Sequence, residues 1–288
     1  MDPAAARESR GNRSAALTEA RYDSAYFRVK AAGERTSAEV IVPLLMSLLE
    51  PRSVCDIGCS QGIWLAVFKE HGVERVVGID GDYVERDELQ IDAREFVAAD
   101  LQRGVPEVGR FDLAISLEVA EHLLPEAATP LVDGLVALAP AVLFSAAIPG
   151  QGGRGHVNEQ WPDYWSELFA RHGYVPIDCI RDRVWLERSV NVWYRQNTLL
   201  FADRSLVESR EGLREAHARS GERPLAVVHP LILQAALERP WKYFQQLLTE
   251  VQAGAITHED LERQMAGLLD RFATRARERS ARSLEHTR

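Results

Sequence analysis

From residue 53 onward, short apolar β-rich runs alternate with helical stretches: SVCDI, RVVGID, EFVAAD, FDLAISLE and AVLFSAAI follow one another along the chain. Strands separated by crossover helices pair in parallel, so the alternation predicts an α/β unit with helices on a mostly parallel sheet. Two further extended runs, at 175–180 (VPIDCI) and 191–202 (NVWYRQNTLLFA), bring the sheet to about seven strands. Ahead of it, 36–50 (TSAEVIVPLLMSLLE) has helical spacing, a Thr/Ser start and a stop before Pro51. Residues 1–20 are small and charged without period, which reads as a frayed arm. Beyond 205 helical patterning takes over, with Gly254 as a stop and Thr257 and Asp260 as a capping-box start. Leu261, Met265, Leu268, Leu269 and Phe272 then form one apolar face suited to core or subunit contact, and a homodimer through these helices is expected. Arg271, Arg275, Arg277, Arg279 and Arg282 read as a solvated helix end. The organisation expected is 1–50 arm and covering helix, 51–204 sheet domain, and 205–288 a C-terminal helical appendage.

Composition narrows the partners. With 34 Lys+Arg against 43 Asp+Glu the net charge is −9, a poor match for phosphate backbones, so no nucleic acid is expected. Cys55, Cys59 and Cys179 form no CxxC pair and no even framework, which suits a reducing cytoplasm. No apolar run is long enough for a membrane span or a signal peptide, so no membrane partner is expected and the location expected is cytoplasmic.

The first strand runs into Asp56-Ile57-Gly58-Cys59-Ser60-Gln61-Gly62 and then the helical IWLAVFKEHG, the start of a nucleotide-binding unit. A dinucleotide would want GxGxxG, but the middle glycine position is Ser60, and Asp56 would repel a diphosphate. S-adenosylmethionine carries an ammonium and a sulfonium and no phosphate, so the same acid attracts it. Asp80 closes the second strand, where a carboxylate can accept both ribose hydroxyls. Asp100 followed by Leu101 closes the third, placed for the adenine amino group and ring.

On these residues the stretch from about 50 to 200 resembles the class I S-adenosylmethionine-dependent methyltransferases, small-molecule branch. VCDIGCSQG matches their first motif, VVGID the second, VAADL the third and FDLAISLEVAEHL the fourth, with Ser60 where the family often carries glycine. The resemblance implies a Rossmann-like seven-stranded sheet with its last strand antiparallel, and the cofactor across the C-terminal ends of the first strands.

Two segments carry candidate chemistry. In Glu118-Val119-Ala120-Glu121-His122, a helix starting near Glu118 would put Glu118, Glu121 and His122 on one face. The segment resembles the EVxEH of methyltransferases that modify the terminal 2′-hydroxyl of small RNAs, where acids and His hold a divalent metal. It is also similar to the quinone O-methyltransferases. The local alternative is that Glu118 contacts the cofactor while Glu121 and His122 cap and pack. After the fifth strand, PGQGGRGHVNEQWPDYW makes a flexible glycine loop in which His156 is a candidate general base, because imidazoles ordinarily titrate near working pH, or a fourth metal ligand. Trp161, Trp165, Trp185 and Trp193, with Tyr164 and Tyr194, suggest an aromatic wall around an organic substrate, although Trp165 and Phe169 at i, i+4 suit a core face. The function expected is methyl transfer to a small molecule, oxygen first and nitrogen or carbon possible. The alternatives are a metal-dependent methyltransferase of a ribose or sugar hydroxyl, using Glu118, Glu121, His122 and His156, and a non-catalytic partner-binding module.

Overall fold

The computed structural model describes residues 24–221 and 223–267, with side chains from residue 32. The expected arm at 1–20, the tail positions Leu268, Leu269 and Phe272, and the tail arginines lie outside the described residues. Among the described residues no helix is long and apolar enough to cross a membrane.

A long helix α1 (Ser24–Leu49) leads into β1 (Ser53–Ile57), α2 (Ile63–Glu70), β2 (Arg75–Asp80), β3 (Phe96–Ala98), β4 (Leu113–Leu117), α3 (Ala128–Leu138), β5 (Ala141–Ser145), α4 (Pro162–Ala170) and β6 (Tyr174–Ile177). Then follow short helices α5 (Arg181–Val184) and α6 (Val192–Asn197), β7 (Leu199–Asp203), and α7 (Arg204–Ser209), α8 (Glu211–Ser220) and α9 (Pro230–Gln252). The strands form one seven-stranded sheet in the order β3-β2-β1-β4-β5-β7-β6. Strands β1 to β5 pair in parallel, and β7 runs antiparallel to both β5 and β6. The Rossmann-like sheet with its last strand antiparallel is therefore present.

Strand alternation divides the core between the two faces of the sheet. Val54, Leu113, Ile115 and Leu143 join Ile41, Leu45 and Phe68 on the face covered by α1 and α2. Cys55, Ile57, Ala114 and Phe144 join Leu131, Leu135 and Phe169 on the face covered by α3 and α4. Phe169 stacks on Phe201 at 4.1 Å, and each fully buried side chain of this size contributes about 1.5–3 kcal/mol.

Three expectations need correction. Helix α1 starts at Ser24 and not near 36, so Thr36 and Ser37 lie inside it, where their hydroxyls bond back to the Gly33 carbonyl instead of capping. The run 191–202 is not one strand: Val192–Asn197 is helical, and only Leu199–Asp203 joins the sheet as β7. Nor do the aromatics make one wall. Trp165 belongs to the α3/α4 core, Trp193 and Tyr194 pack on the opposite face of the sheet, and Trp185 lies against His229.

The described residues divide into two compact units between 232 and 233, so α7 and α8 belong with the sheet and the division falls later than 204. In the second unit, Gly254 at φ 68 follows the end of α9, and Thr257 and Asp260 cap the next helix reciprocally.

Candidate active site

The turn after β1 is built on left-handed backbone: Gly58, Ser60 and Gly62 have φ of 82, 49 and 75. A Cβ at Gly58 would stand 2.2 Å from a Val119 methyl, so only glycine brings the turn this close to the end of β4. The Gly58 amide donates to the Ile79 carbonyl at 2.7 Å, and the Ser60 amide donates to Asp80 Oδ2 at 2.7 Å. Asp80 Oδ1 accepts the Gly81 amide at 2.7 Å and the Tyr83 hydroxyl. Hydrogen bonds thus aim the Asp80 carboxylate before any ligand arrives.

A cleft of about 920 Å³ opens over this turn. Of the expected cofactor residues, Gly58, Ser60, Asp80, Asp100, Leu101 and Glu118 line it, together with His122. Asp100 also caps the turn at Leu101–Arg103 by accepting the Gln102 amide at 3.0 Å. Asp56 is buried and Gly62 opens α2, and neither is in the lining. Burial first, then the charges of Asp80 and Glu34, pushes the Asp56 carboxyl well above the ordinary range. Glu34, on α1, adds its charge to this effect and was not singled out in the sequence, because nothing in a covering helix marks it.

The EVAEH segment is not the start of a helix. Glu118 sits at φ 57, Ala120–His122 form a single tight turn, and α3 begins at Ala128. Glu118 therefore does not share a helical face with Glu121 and His122. It turns into a polar cluster instead: Asn197 Nδ2 donates to Oε1 at 3.0 Å and Gln151 Nε2 donates to Oε2 at 3.1 Å. Burial raises its carboxyl against the pull of these amides and of Ser145. Asn197 and Gln151, like Glu34, were not singled out in the sequence.

Glu121 and His122 meet His156 from the glycine loop, with potential ligand atoms within 4.8 Å of one another. The Val157 and Asn158 amides donate to the Glu121 carbonyl at 2.8 and 3.1 Å and so dock the loop on this turn. The two imidazoles pack edge-on at 4.9 Å. The Glu121 side chain is buried, and both of its carboxyl oxygens are without a hydrogen-bond partner among the described residues. Burial and the neighbouring Glu118 charge push it up to about 9. A buried acid beside two imidazoles is chemically able to meet a cation or to exchange a proton.

Residues 30–176 match the family model of the methyltransferase domain. Curated proteins return no match. Among solved structures the chain is similar to the plantazolicin methyltransferase, at 15% identity and TM-score 0.46 over 65% of this chain and 91% of that one. It is similar to the calicheamicin-biosynthesis methyltransferase at 17% identity and TM-score 0.44, over 65% of this chain and 58% of that one. With the magnesium protoporphyrin IX methyltransferase of Synechocystis the values are 20% and 0.43, over 60% and 86%. The chain thus spans less than two thirds of the length of the calicheamicin-biosynthesis methyltransferase, and likenesses at such scores say nothing about what it acts on.

Proposed function

The chain belongs to the methyltransferase-domain family, and from that premise we propose that it transfers the methyl group of S-adenosylmethionine to a small organic acceptor, a hydroxyl first and a nitrogen or carbon otherwise. The observation that carries this reading is the cleft of about 920 Å³ that begins at the Gly58–Ser60 turn and Asp80 and ends at His122, the neighbour of Glu121 and His156. Asp80 supplies a preset acceptor for ribose hydroxyls: its bonds to the Ser60 and Gly81 amides and the Tyr83 hydroxyl leave one lone pair on Oδ2, and displacement of the Tyr83 hydroxyl would free a second on Oδ1. Asp100 and Leu101 suit an adenine edge and face. A cationic cofactor would draw the raised Asp56 carboxyl back toward its ionised form, where a diphosphate would raise it further.

Methyl transfer from a sulfonium is an in-line displacement: the carbon–sulfur bond breaks as the carbon–oxygen bond forms, and the acceptor loses its proton. The protein must orient the acceptor and take that proton, the role assigned to His156. A second reading is favoured by the unpartnered buried oxygens of Glu121, which suit a divalent cation held with His122 and His156. Such an ion would acidify a bound hydroxyl; His156 would then be a ligand and not the base. Glu118 is the weaker member of that set, because Asn197 and Gln151 already occupy its oxygens.

A steady-state methyl-transfer assay over a panel of small hydroxyl and amine acceptors, with and without chelator, separates these readings. With His156 as base, His156→Ala lowers kcat by about 10²–10⁴ with cofactor affinity nearly intact. A metal centre instead makes chelator silence the wild type and makes Glu121→Ala as damaging as His156→Ala. Full activity of His156→Ala under every condition sinks both. Tight cofactor binding with no turnover on any acceptor would favour a non-catalytic module.

A further inference from the structure

The glycine loop between β5 and α4 closes around one carboxylate. The Gly150 amide donates to Glu159 Oε2 at 2.8 Å, and the Gly152 amide donates to Oε1 at 2.6 Å. His156 Nδ1 lies 3.1 Å from the same Oε1. The Glu159 and His156 side chains are only 16% and 12% exposed, so the pair is shielded from competing water. Both Glu159 oxygens already act as acceptors for backbone amides, so in the neutral ring Nδ1 is the donor to Oε1 and the lone pair falls to Nε2.

The ring is fixed by its surroundings as well. A Cβ at Gly153 would stand 2.1 Å from His156 Nε2, so the imidazole lies against bare backbone that any other residue would obstruct. His122 bounds it edge-on. The glycines of this loop therefore do more than permit flexibility: Gly150 and Gly152, at φ 89 and 65, turn their amides onto Glu159, and Gly153 leaves room for the ring.

We propose that Glu159 is the positioning residue of the site, holding His156 in the Nδ1–H tautomer and so leaving the lone pair of the ring on Nε2. The proposal rests on the reading of His156 as the working imidazole, and it holds whether Nε2 receives the acceptor's proton or holds a cation, because both need the lone pair there. Carboxylate partners of this kind are worth about 10–100-fold in activity where they have been removed. Glu159 does not touch the reacting atoms; it acts through His156.

The test is tautomer-resolved NMR on the full-length protein with ¹⁵N-labelled histidine, reading long-range nitrogen–proton correlations, with His156→Asn to assign the signal. The wild type is expected to show His156 as Nδ1–H. In Glu159→Gln and Glu159→Ala the signal is expected to move to the Nε2–H form or to a mixture. Alongside this, kcat should fall about 10–100-fold while S-adenosylmethionine affinity by calorimetry stays within about twofold. Nε2–H in the wild type overturns the proposal whether or not the variants fold. An unchanged tautomer in folded variants, or a loss of cofactor affinity matching the loss of rate, reduces Glu159 to a staple of the loop and overturns it too. If the tautomer behaves as expected and no acceptor is methylated, the reading of the function fails and the assignment of Glu159 stands.

Discussion

Asp56 sets cofactor attraction against stability. Its carboxyl is raised by burial and by the nearby acids, so its folded pKa lies above its unfolded one. Its contribution to stability is therefore complete below the ordinary carboxylate range and is lost as pH rises through that range toward the raised folded value. At neutral pH Asp56→Asn is expected to raise Tm, by about 2–4 °C for each kcal/mol regained, and to weaken S-adenosylmethionine. Thermal scans and calorimetry check both signs. A drop in Tm would make Asp56 a structural residue and not an electrostatic one. Asp80→Ala is expected to weaken the cofactor by about 1.5–3 kcal/mol, since a bidentate charged acceptor disappears; affinity within twofold of wild type would mean the ribose lies elsewhere. Asp80, Asp100 and Leu101 were legible because strand ends can be read from sequence. Glu159 was not, because its meaning lies in which groups it reaches: two backbone amides and a ring nitrogen that only the closed loop brings together.

The β1–α2 turn is the element on which the rest of the cleft depends. Gly58→Ala would put a side chain into the left-handed region and against Val119, about 1–2 kcal/mol of backbone cost before any overlap is relieved. Tm is expected to fall and cofactor affinity to drop at least tenfold. An unchanged isotherm for Gly58→Ala would show that the turn does not meet the cofactor. Periodicity located this turn, α2 and the five strands before residue 150, since each buries a face repeating every two or 3.6 residues. It failed at 118–122, where Glu118 leaves the end of β4 at a positive φ and its amide bonds to Ser145 instead of opening a helix. At 192–197 the β-forming Val, Trp and Tyr were overridden by Tyr194 packing on Trp64 at 5.3 Å and Asn197 reaching Glu118.

At the scale of the molecule, a buried polar chain within the first unit runs from the site to His229: Glu118 to Asn197, Asn197 to Gln196, and Gln196 Oε1 to the His229 amide at 2.7 Å. In the second unit α9 exposes Leu233, Leu237 and Trp241 at four-residue spacing. The homodimer expected through the C-terminal helices remains a proposal; sedimentation velocity should give twice the 32.3 kDa chain mass, and Leu237→Glu with Trp241→Glu should return it to the monomer. A wild-type monomer at micromolar concentration removes that proposal. The sequence by itself determined the sheet, its crossovers and the acids at the strand ends, because burial periodicity and crossover geometry are properties of consecutive residues. Only the tertiary structure decided that Glu118 leaves β4 outside any helical face with Glu121 and His122, that His156 comes back from the loop to meet that pair, and that Glu159 lies against its ring, because hydrogen bonds and packing between distant residues depend on closure of the whole chain.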